Sequence, residues 1–170
     1  EARGQTVLLK ILRPGRNPHV EFARLKRESN LIKHFKLNSV PTPLGTFESN
    51  GMPVLVMEDF GTCTLQELAG SYPLPLPVFL QVARHVAQAV SQLHQNGITH
   101  TRLHPGNILY DAADQAVKIL DLEMASLLSD DSAGFINLYA VEKEIAYLAP
   151  EQSGRDCEVD ATADLYAICT

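Results

Sequence analysis

Cysteine is scarce in this sequence. Three occur in 170 residues, Cys63, Cys157 and Cys169, odd in number and scattered. With no CxxC pair and no Cys/His ligand spacing, neither a disulfide framework nor a structural zinc is supported, and a reducing, cytoplasmic compartment is the expectation. No apolar run is long enough to span a bilayer and no signal-peptide pattern is present, so membrane insertion is not expected. Positive charge is in deficit: 14 Lys and Arg against 20 Asp and Glu leave a net charge of −6. That removes any global attraction to nucleic acid or anionic lipid. The basic cluster Arg24, Lys26 and Arg27 lies in a helical pattern with Glu21 and Glu28 and reads as a solvated helix face. Internal repeats, low-complexity tracts and an initial Met are missing too. The chain opens at Glu1 and stops inside the apolar stretch Ile168–Thr170, as expected of a fragment cut from a longer protein.

What is present is the composition of a globular domain, with 45% hydrophobic and 20% charged residues. Thr6–Leu12 is an apolar run broken only by Lys10 and reads as a buried strand. Pro14-Gly15 and Asn17-Pro18 make a turn. Val20–Lys36 has helical periodicity, with Leu25, Leu31, Ile32 and Phe35 on one side, and Pro41 and Pro43 end that region. Gly45–Glu48 and Pro53–Met57 flank Ser49-Asn50-Gly51, a hairpin signal. After Gly61 the pattern turns helical. Leu65–Ala69 is a short helix, and a proline-rich stretch covers Tyr72–Pro77. Val78–Asn96 is a long core helix with Phe79, Val82, Val86, Val90 and Leu93 inward and Gly97 as its cap. Ile108–Tyr110 and Val117–Leu120 are short strands around a turn at Asp111–Gln115. From Ala125 a long loop leads to a helix from about Asp160. The expected fold class is α+β, a sheet-rich part and a helical part joined near Glu58–Gly61 with a cleft between them.

Three places carry candidate chemistry. Lys10 interrupts an apolar strand, and its ammonium must reach a cleft or an anion. Glu28 shares a helix face with apolar neighbours and projects toward the core. Opposite charges on the apolar faces of adjacent elements can satisfy one another. The competing reading has Lys10 snorkelling out of an edge strand and Glu28 pairing with Arg24. The second cluster, His100-Thr101-Arg102-Leu103-His104-Pro105-Gly106-Asn107-Ile108-Leu109-Tyr110, follows a helix end and precedes a hairpin. The third is Val117-Lys118-Ile119-Leu120-Asp121-Leu122-Glu123, in which a strand delivers Asp121 to its end. An amide oxygen from Asn107 and a carboxylate from Asp121 are hard-oxygen ligands suited to Mg²⁺. Taken singly, Asn107 reads as a turn cap and Asp121 as a strand-end cap; the order of the three clusters is what discriminates.

That order resembles the protein-kinase family, from about Thr6 to the last residue. Val7–Lys10 is similar to the V-A-I-K strand, whose lysine holds the nucleotide's α- and β-phosphates, and Glu28 matches the glutamate that pairs with it. Leu55–Gly61 resembles the last small-lobe strand and hinge. Met57 would be the gatekeeper, and Glu58 and Phe60 would offer backbone groups to adenine. Leu109 matches the apolar floor under the ring, and Asn107 and Asp121 match the two metal-binding residues. Ala149-Pro150-Glu151 matches the A-P-E that closes the activation segment. Asp164 matches the helix aspartate that holds the catalytic loop. The resemblance implies a bilobal fold, with a small β-rich N-lobe over residues 1–60 and a helical C-lobe over 61–170, incomplete at both ends. It also implies ATP and Mg²⁺ as cofactors and a protein partner or substrate. Tyr147–Arg155 further resembles the kinase-like domain at the front of large bacterial multidomain sensor kinases, which implies further domains in the same polypeptide. Leu103–Leu109 with Asp121-Leu122-Glu123 is similar to the aminoglycoside and choline kinases, which lack A-P-E.

The pattern breaks where the family's catalytic loop reads H-R-D. Here it reads His100-Thr101-Arg102, so a carboxylate that orients and accepts a proton is exchanged for a cation that cannot. Loss of a general base typically costs about 10²–10⁴-fold. Thr101 stands where many kinases carry the arginine that reads an activation-loop phosphate, so switching through Ser126, Ser129 or Ser132 is not expected. Asp121-Leu122-Glu123 replaces D-F-G, removing backbone freedom and adding an anion near the phosphates. His104 replaces a lysine that contacts the γ-phosphate, and Leu8 replaces a small alanine over the adenine. No Gly-rich loop is present. The expected function is an ATP-binding pseudokinase or very weak kinase in signalling. An active Ser/Thr kinase is the alternative, and a small-molecule phosphotransferase a distant third.

Overall fold

The computed structural model describes residues 6–11, 18–61, 63–70, 73–127, 145–153 and 159–170. The Pro14-Gly15-Arg16-Asn17 turn, Ser129, Ser132, Gly154, Arg155 and Cys157 lie outside the described residues. The element order mixes strands and helices in an α+β arrangement.

The first sheet is antiparallel, in the order β1 (Val7–Ile11), β3 (Met52–Glu58), β2 (Pro43–Ser49). Asn50 and Gly51 join β2 to β3 with φ of 52° and 74°, the paired left-handed residues of a tight hairpin turn. Where the apolar run suggests a buried strand, β1 pairs among the described residues with β3 alone, and Leu9 is 47% and Ile11 54% exposed. The pleat puts successive side chains on opposite faces, so Leu8 and Lys10 share the more protected face.

Helix α1 (Pro18–Phe35) packs on this sheet. Leu25, Leu31 and Ile32 are buried as expected, and Glu28 is buried with them. Glu28 therefore leaves the solvated face on which Lys26 and Arg27 remain. The helix stops at Phe35 rather than at the prolines, because Lys36 turns left-handed at φ 49°; Pro43 opens β2 instead.

The second part is built on α3 (Leu76–Gln95), preceded by β4 (Cys63–Thr64) and α2 (Leu65–Ala69). Thr64 and Glu67 close a reciprocal capping box on α2. Val82, Val86, Ala89, Val90 and Leu93 form the buried stripe of α3. Phe79, expected inward, is 52% exposed, one turn ahead of that stripe. The cap of α3 is Asn96, and Gly97 follows it at φ 69° with its N–H on His94 O. Against α3 lie β6 (Ile108–Asp111) and β7 (Ala116–Ile119), which pair with each other and, through β6, with β4. The pair β5 (Ile98–Thr99) and β8 (Ser126–Leu127), and helix α4 (Ala161–Cys169) capped by Asp160, complete the described elements.

One core cluster gathers Leu31 and Ile32 of α1 with the α3 stripe, Ile98, Ile108 and Ile119. A smaller one holds Leu25, Leu55 and Met57, with Leu8 and Leu120 against it. The second cluster lies where the first sheet faces the end of β7, which is where the charged residues meet. Among the described residues, no helix is long and apolar enough to cross a membrane.

Candidate active site

Lys10 comes from the middle of β1 and Glu28 from the buried face of α1. The Lys10 ammonium donates to Glu28 Oε2 at 2.8 Å and to Asp121 Oδ1 at 2.5 Å. Glu28 does not pair with Arg24. Its second oxygen accepts the N–H of Leu122 at 3.0 Å, so one buried carboxylate ties β1 to the turn after Asp121. A third carboxylate, Glu123, stands 3.7 Å from the same ammonium.

Asp121 reaches Lys10 because β7 ends in a left-handed residue, with Asp121 at φ 71° and ψ 57°. Aspartate tolerates that conformation better than most side chains. Burial opposes the Lys10 charge, but Glu28, Asp121 and Glu123 outweigh it and hold the ammonium pKa above the ordinary lysine value. Burial likewise opposes the Asp121 carboxylate. The charge and hydrogen bond of Lys10, with smaller help from Arg102, hold its pKa below the usual range.

Asn107 ends the 3₁₀ turn Pro105–Asn107. Its backbone O accepts Leu120 N–H at 2.8 Å, which fixes it beside Asp121. Its side-chain amide donates to Arg102 O at 3.2 Å, so the amide oxygen is the end left to receive a cation. Asn107 and Asp121 line a cleft of about 260 Å³ with Leu8, Leu9, Lys10, Met57 and Leu120. These two oxygens fit the donor chemistry of Mg²⁺ but are too few for its octahedral shell, which needs water and ligand phosphates to complete it. Among the described residues no group of three or more His, Cys, Asp or Glu could hold a metal alone. The ammonium, the apolar walls and the paired oxygens fit a nucleotide's phosphates and base in kind.

His100 and Arg102 act differently. His100 is fully buried, and its Nε2 bonds Leu120 O at 2.8 Å while its Nδ1 accepts Arg102 N–H at 3.2 Å. That pair of roles requires the neutral Nε2–H tautomer. His100 therefore positions the loop and does not line the cleft. Asp164 holds the same loop from α4, accepting His100 N–H at 2.8 Å, Thr101 N–H at 2.9 Å and His94 Nε2 at 2.9 Å. Thr101 sits at φ 68°, a costly conformation for a β-branched residue. It is fixed from three sides: by Asp164, by its hydroxyl on Met124 O, and by Gln152 Nε2 on its carbonyl at 2.6 Å. Gln152 also accepts Ala149 N–H at 2.9 Å, joining the Ala149-Pro150-Glu151 segment to this loop.

The hinge residues are less directly placed. Met57 is buried on the cleft wall. Glu58 gives its N–H to Thr42 O at 2.9 Å, so it can offer a base its carbonyl but not its N–H. Leu109 is buried between Thr64 and Lys118 and is not among the residues lining the cleft. Sequence reasoning missed Lys118. Its ammonium bonds the Glu58 carboxylate and stands 4.8 Å from the centre of the Phe60 ring. Burial pushes the Glu58 carboxyl up, but that bond and those from Thr42 outweigh it and lower its pKa. The signal available was a lysine inside an apolar strand, as at Lys10.

The α+β fold, the lysine–glutamate pair and the aspartate after β7 define a protein-kinase-like domain. The family model described as "protein kinase domain" matches residues 1–170, and the chain belongs to that family. It is 30% identical over 168 residues to the serine/threonine-protein kinase PknB of Mycobacterium leprae (strain TN), covering 95% of this chain and 26% of that protein. It is 30% identical over 171 residues to the probable serine/threonine-protein kinase SCO3848 of Streptomyces coelicolor, covering 96% and 25%. It is 28% identical over 168 residues to the serine/threonine-protein kinase pkn2 of Myxococcus xanthus, covering 96% and 20%. The chain spans about a quarter of the length of these relatives.

Proposed function

We propose that this chain is the nucleotide-binding part of a pseudokinase or very weak kinase, which takes ATP with Mg²⁺ and signals through conformation. In this reading residues 1–60 form the N-lobe and 61–170 the C-lobe, and the domain works in the cytoplasm as part of a longer polypeptide. Lys10, Met57 and the backbone of Glu58 and Phe60 would hold the nucleotide, and Asn107 and Asp121 its metal. The observation that carries it is the Lys10 ammonium shared between Glu28 and Asp121 while Arg102 stands at the base position. That combination supports phosphate handling without an efficient proton acceptor at the loop. The metal would neutralise phosphate charge. Lys10 and the cleft walls would bind and orient the nucleotide, and Asp164 and His100 would keep the loop in register.

A thermal-shift titration of the full-length protein with ATP, with and without Mg²⁺, tests it. Stabilisation that disappears in Lys10→Ala and Asp121→Ala is expected; no stabilisation removes the nucleotide and leaves a scaffold. An active Ser/Thr kinase is the second reading, favoured by the names of the relatives. Radiolabel transfer to protein that vanishes in the same two variants would establish it. In the first reading Arg102→Asp raises transfer instead. The Ala149-Pro150-Glu151 segment and its link through Gln152 weigh against a small-molecule phosphotransferase.

A further inference from the structure

Thr101 is not among the residues lining the cleft, yet three segments converge on it. Its N–H goes to Asp164 of α4, its hydroxyl to Met124 O after β7, and its carbonyl accepts Gln152 Nε2–H at 2.6 Å. Gln152 is 8% exposed in the 3₁₀ turn Pro150–Ser153, and its side-chain oxygen accepts Ala149 N–H at 2.9 Å. Both ends of that amide are used inside the protein, and the nucleotide reading gives Gln152 no part.

The Thr101 carbonyl and the Arg102 N–H belong to one planar trans peptide unit. They point in opposite directions, the carbonyl to Gln152 and the N–H to His100 Nδ1 at 3.2 Å. With a bond on each side, the plane cannot turn without breaking both. The anchoring matters because Thr101 sits at φ 68°, and a β-branched residue leaves that conformation once its carbonyl is released. The orientation of this plane sets where the next carbonyl goes, and Arg102 O accepts the Asn107 side-chain amide at 3.2 Å. That last bond decides which end of the amide is left for a cation. The amide nitrogen offers only donors. The terminal torsion of asparagine is roughly two-fold, so without the bond either end can face the cleft.

We infer that Gln152 is a positioning residue for Asn107: from the A-P-E segment it fixes the Thr101–Arg102 peptide, and through it the amide oxygen that Asn107 offers to Mg²⁺. The inference rests on the nucleotide reading above and makes the Pro150–Ser153 turn a support of the metal site.

The test is calorimetric titration of the full-length protein with adenosine and ATP, each with and without Mg²⁺. Wild type is compared with Gln152→Leu, Gln152→Glu, Asn107→Ala and the double variant of Gln152→Leu with Asn107→Ala. Leucine removes both amide bonds at similar volume. Glutamate still accepts Ala149 N–H but turns an oxygen toward the Thr101 carbonyl. In both Gln152 variants the affinity that ATP gains from Mg²⁺ is expected to fall about tenfold, the lower end for groups that orient a metal ligand. Adenosine affinity is expected to stay within about twofold. In the Asn107→Ala background Gln152→Leu is expected to cost nothing further, because both act through one group. Without ligand, hydrogen exchange at the Arg102 N–H is expected to quicken in Gln152→Leu. An unchanged Mg²⁺ gain or an unchanged exchange rate overturns the inference. So does an equal loss for adenosine, which would mean general repacking, or a full second loss on top of Asn107→Ala. If wild type gains affinity from Mg²⁺ and the Gln152 variants keep that gain, this inference alone fails. If wild type binds neither ligand, or gains nothing from Mg²⁺, the nucleotide reading fails and takes this one with it. Loss of fold in both Gln152 variants would make the residue a structural partner only and overturns the inference as well.

Discussion

Stability measurements can weigh the charge cluster without any ligand. The perturbations are three single substitutions, Lys10→Met, Glu28→Gln and Glu123→Gln. Lys10→Met removes a cation that three carboxylates share, and Glu28, 1% exposed, cannot recover its solvation. Removing one partner of a buried pair costs about 3–5 kcal/mol. Glu28→Gln leaves Lys10 with Asp121 and Glu123, and the amide oxygen still accepts from Leu122 N–H. The loss is then that of one charged hydrogen bond, about 1.5–3 kcal/mol. Glu123→Gln keeps the volume and removes a carboxylate 3.7 Å from the ammonium, beyond hydrogen-bond reach, and the expected cost is about 0.5 kcal/mol. In urea, with a slope of about 2 kcal/mol per molar, the three midpoints separate by about a molar each. The assay is equilibrium urea unfolding followed by circular dichroism at neutral pH. The reasoning is refuted if Lys10→Met is no worse than Glu123→Gln, or if Glu123→Gln costs as much as Glu28→Gln.

Other outcomes follow from the same contacts. The Asp121 carboxyl is held low and the Lys10 ammonium high. Stability from Asp121 is therefore present above its unfolded pKa of about 3.9 and is lost as pH falls through the lower folded value. That from Lys10 is present below about 10.4 and is lost only as pH rises through the higher folded value. Lys10 and Asp121 thus add no slope to a melting-temperature profile between about pH 5 and 9, and Asp121→Asn flattens the acid limb relative to wild type. Asp164→Asn leaves one of its three donors unmatched and is expected to cost about 2–4 kcal/mol by urea unfolding. Faster hydrogen exchange at His100 and Thr101 is expected with it. Gly61→Ala is expected to cost about 1–3 kcal/mol, since Gly61 lies at φ 77° and a Cβ would come within 2.8 Å of Tyr110 O. A melting temperature unchanged in Gly61→Ala would contradict that geometry.

Much of this arrangement was readable before any coordinates. The Asn50-Gly51 turn, α1 and α3 follow from turn chemistry and 3.6-residue periodicity, which are local properties. Lys10 and Glu28 were visible as charges on apolar faces that needed partners. The misses are places where a local pattern does not say what lies opposite. β1 has the composition of a central strand, yet among the described residues it pairs with β3 alone and leaves Leu9 and Ile11 exposed. Phe79 continues the apolar spacing of α3 one turn beyond the part that has something to pack on. Lys118 interrupts an apolar strand as Lys10 does, but its partner Glu58 is 60 positions away and no local pattern names it. Glu123 could be marked as an added anion, but its return to Lys10 depends on the left-handed Asp121. Leu109, Glu58 and Phe60 follow from family likeness alone, whereas Leu8, Leu9, Met57 and Leu120 are the apolar residues lining the described cleft.

Lys118 and Asp121 lie three positions apart at the end of one strand, the first latched to the hinge carboxylate and the second to the opposite sheet. Both partners, Glu58 on β3 and Lys10 on β1, are neighbours in the first sheet, and both latches leave one short segment. A shift of that sheet is therefore felt at the two contacts together, and loosening one slackens the other.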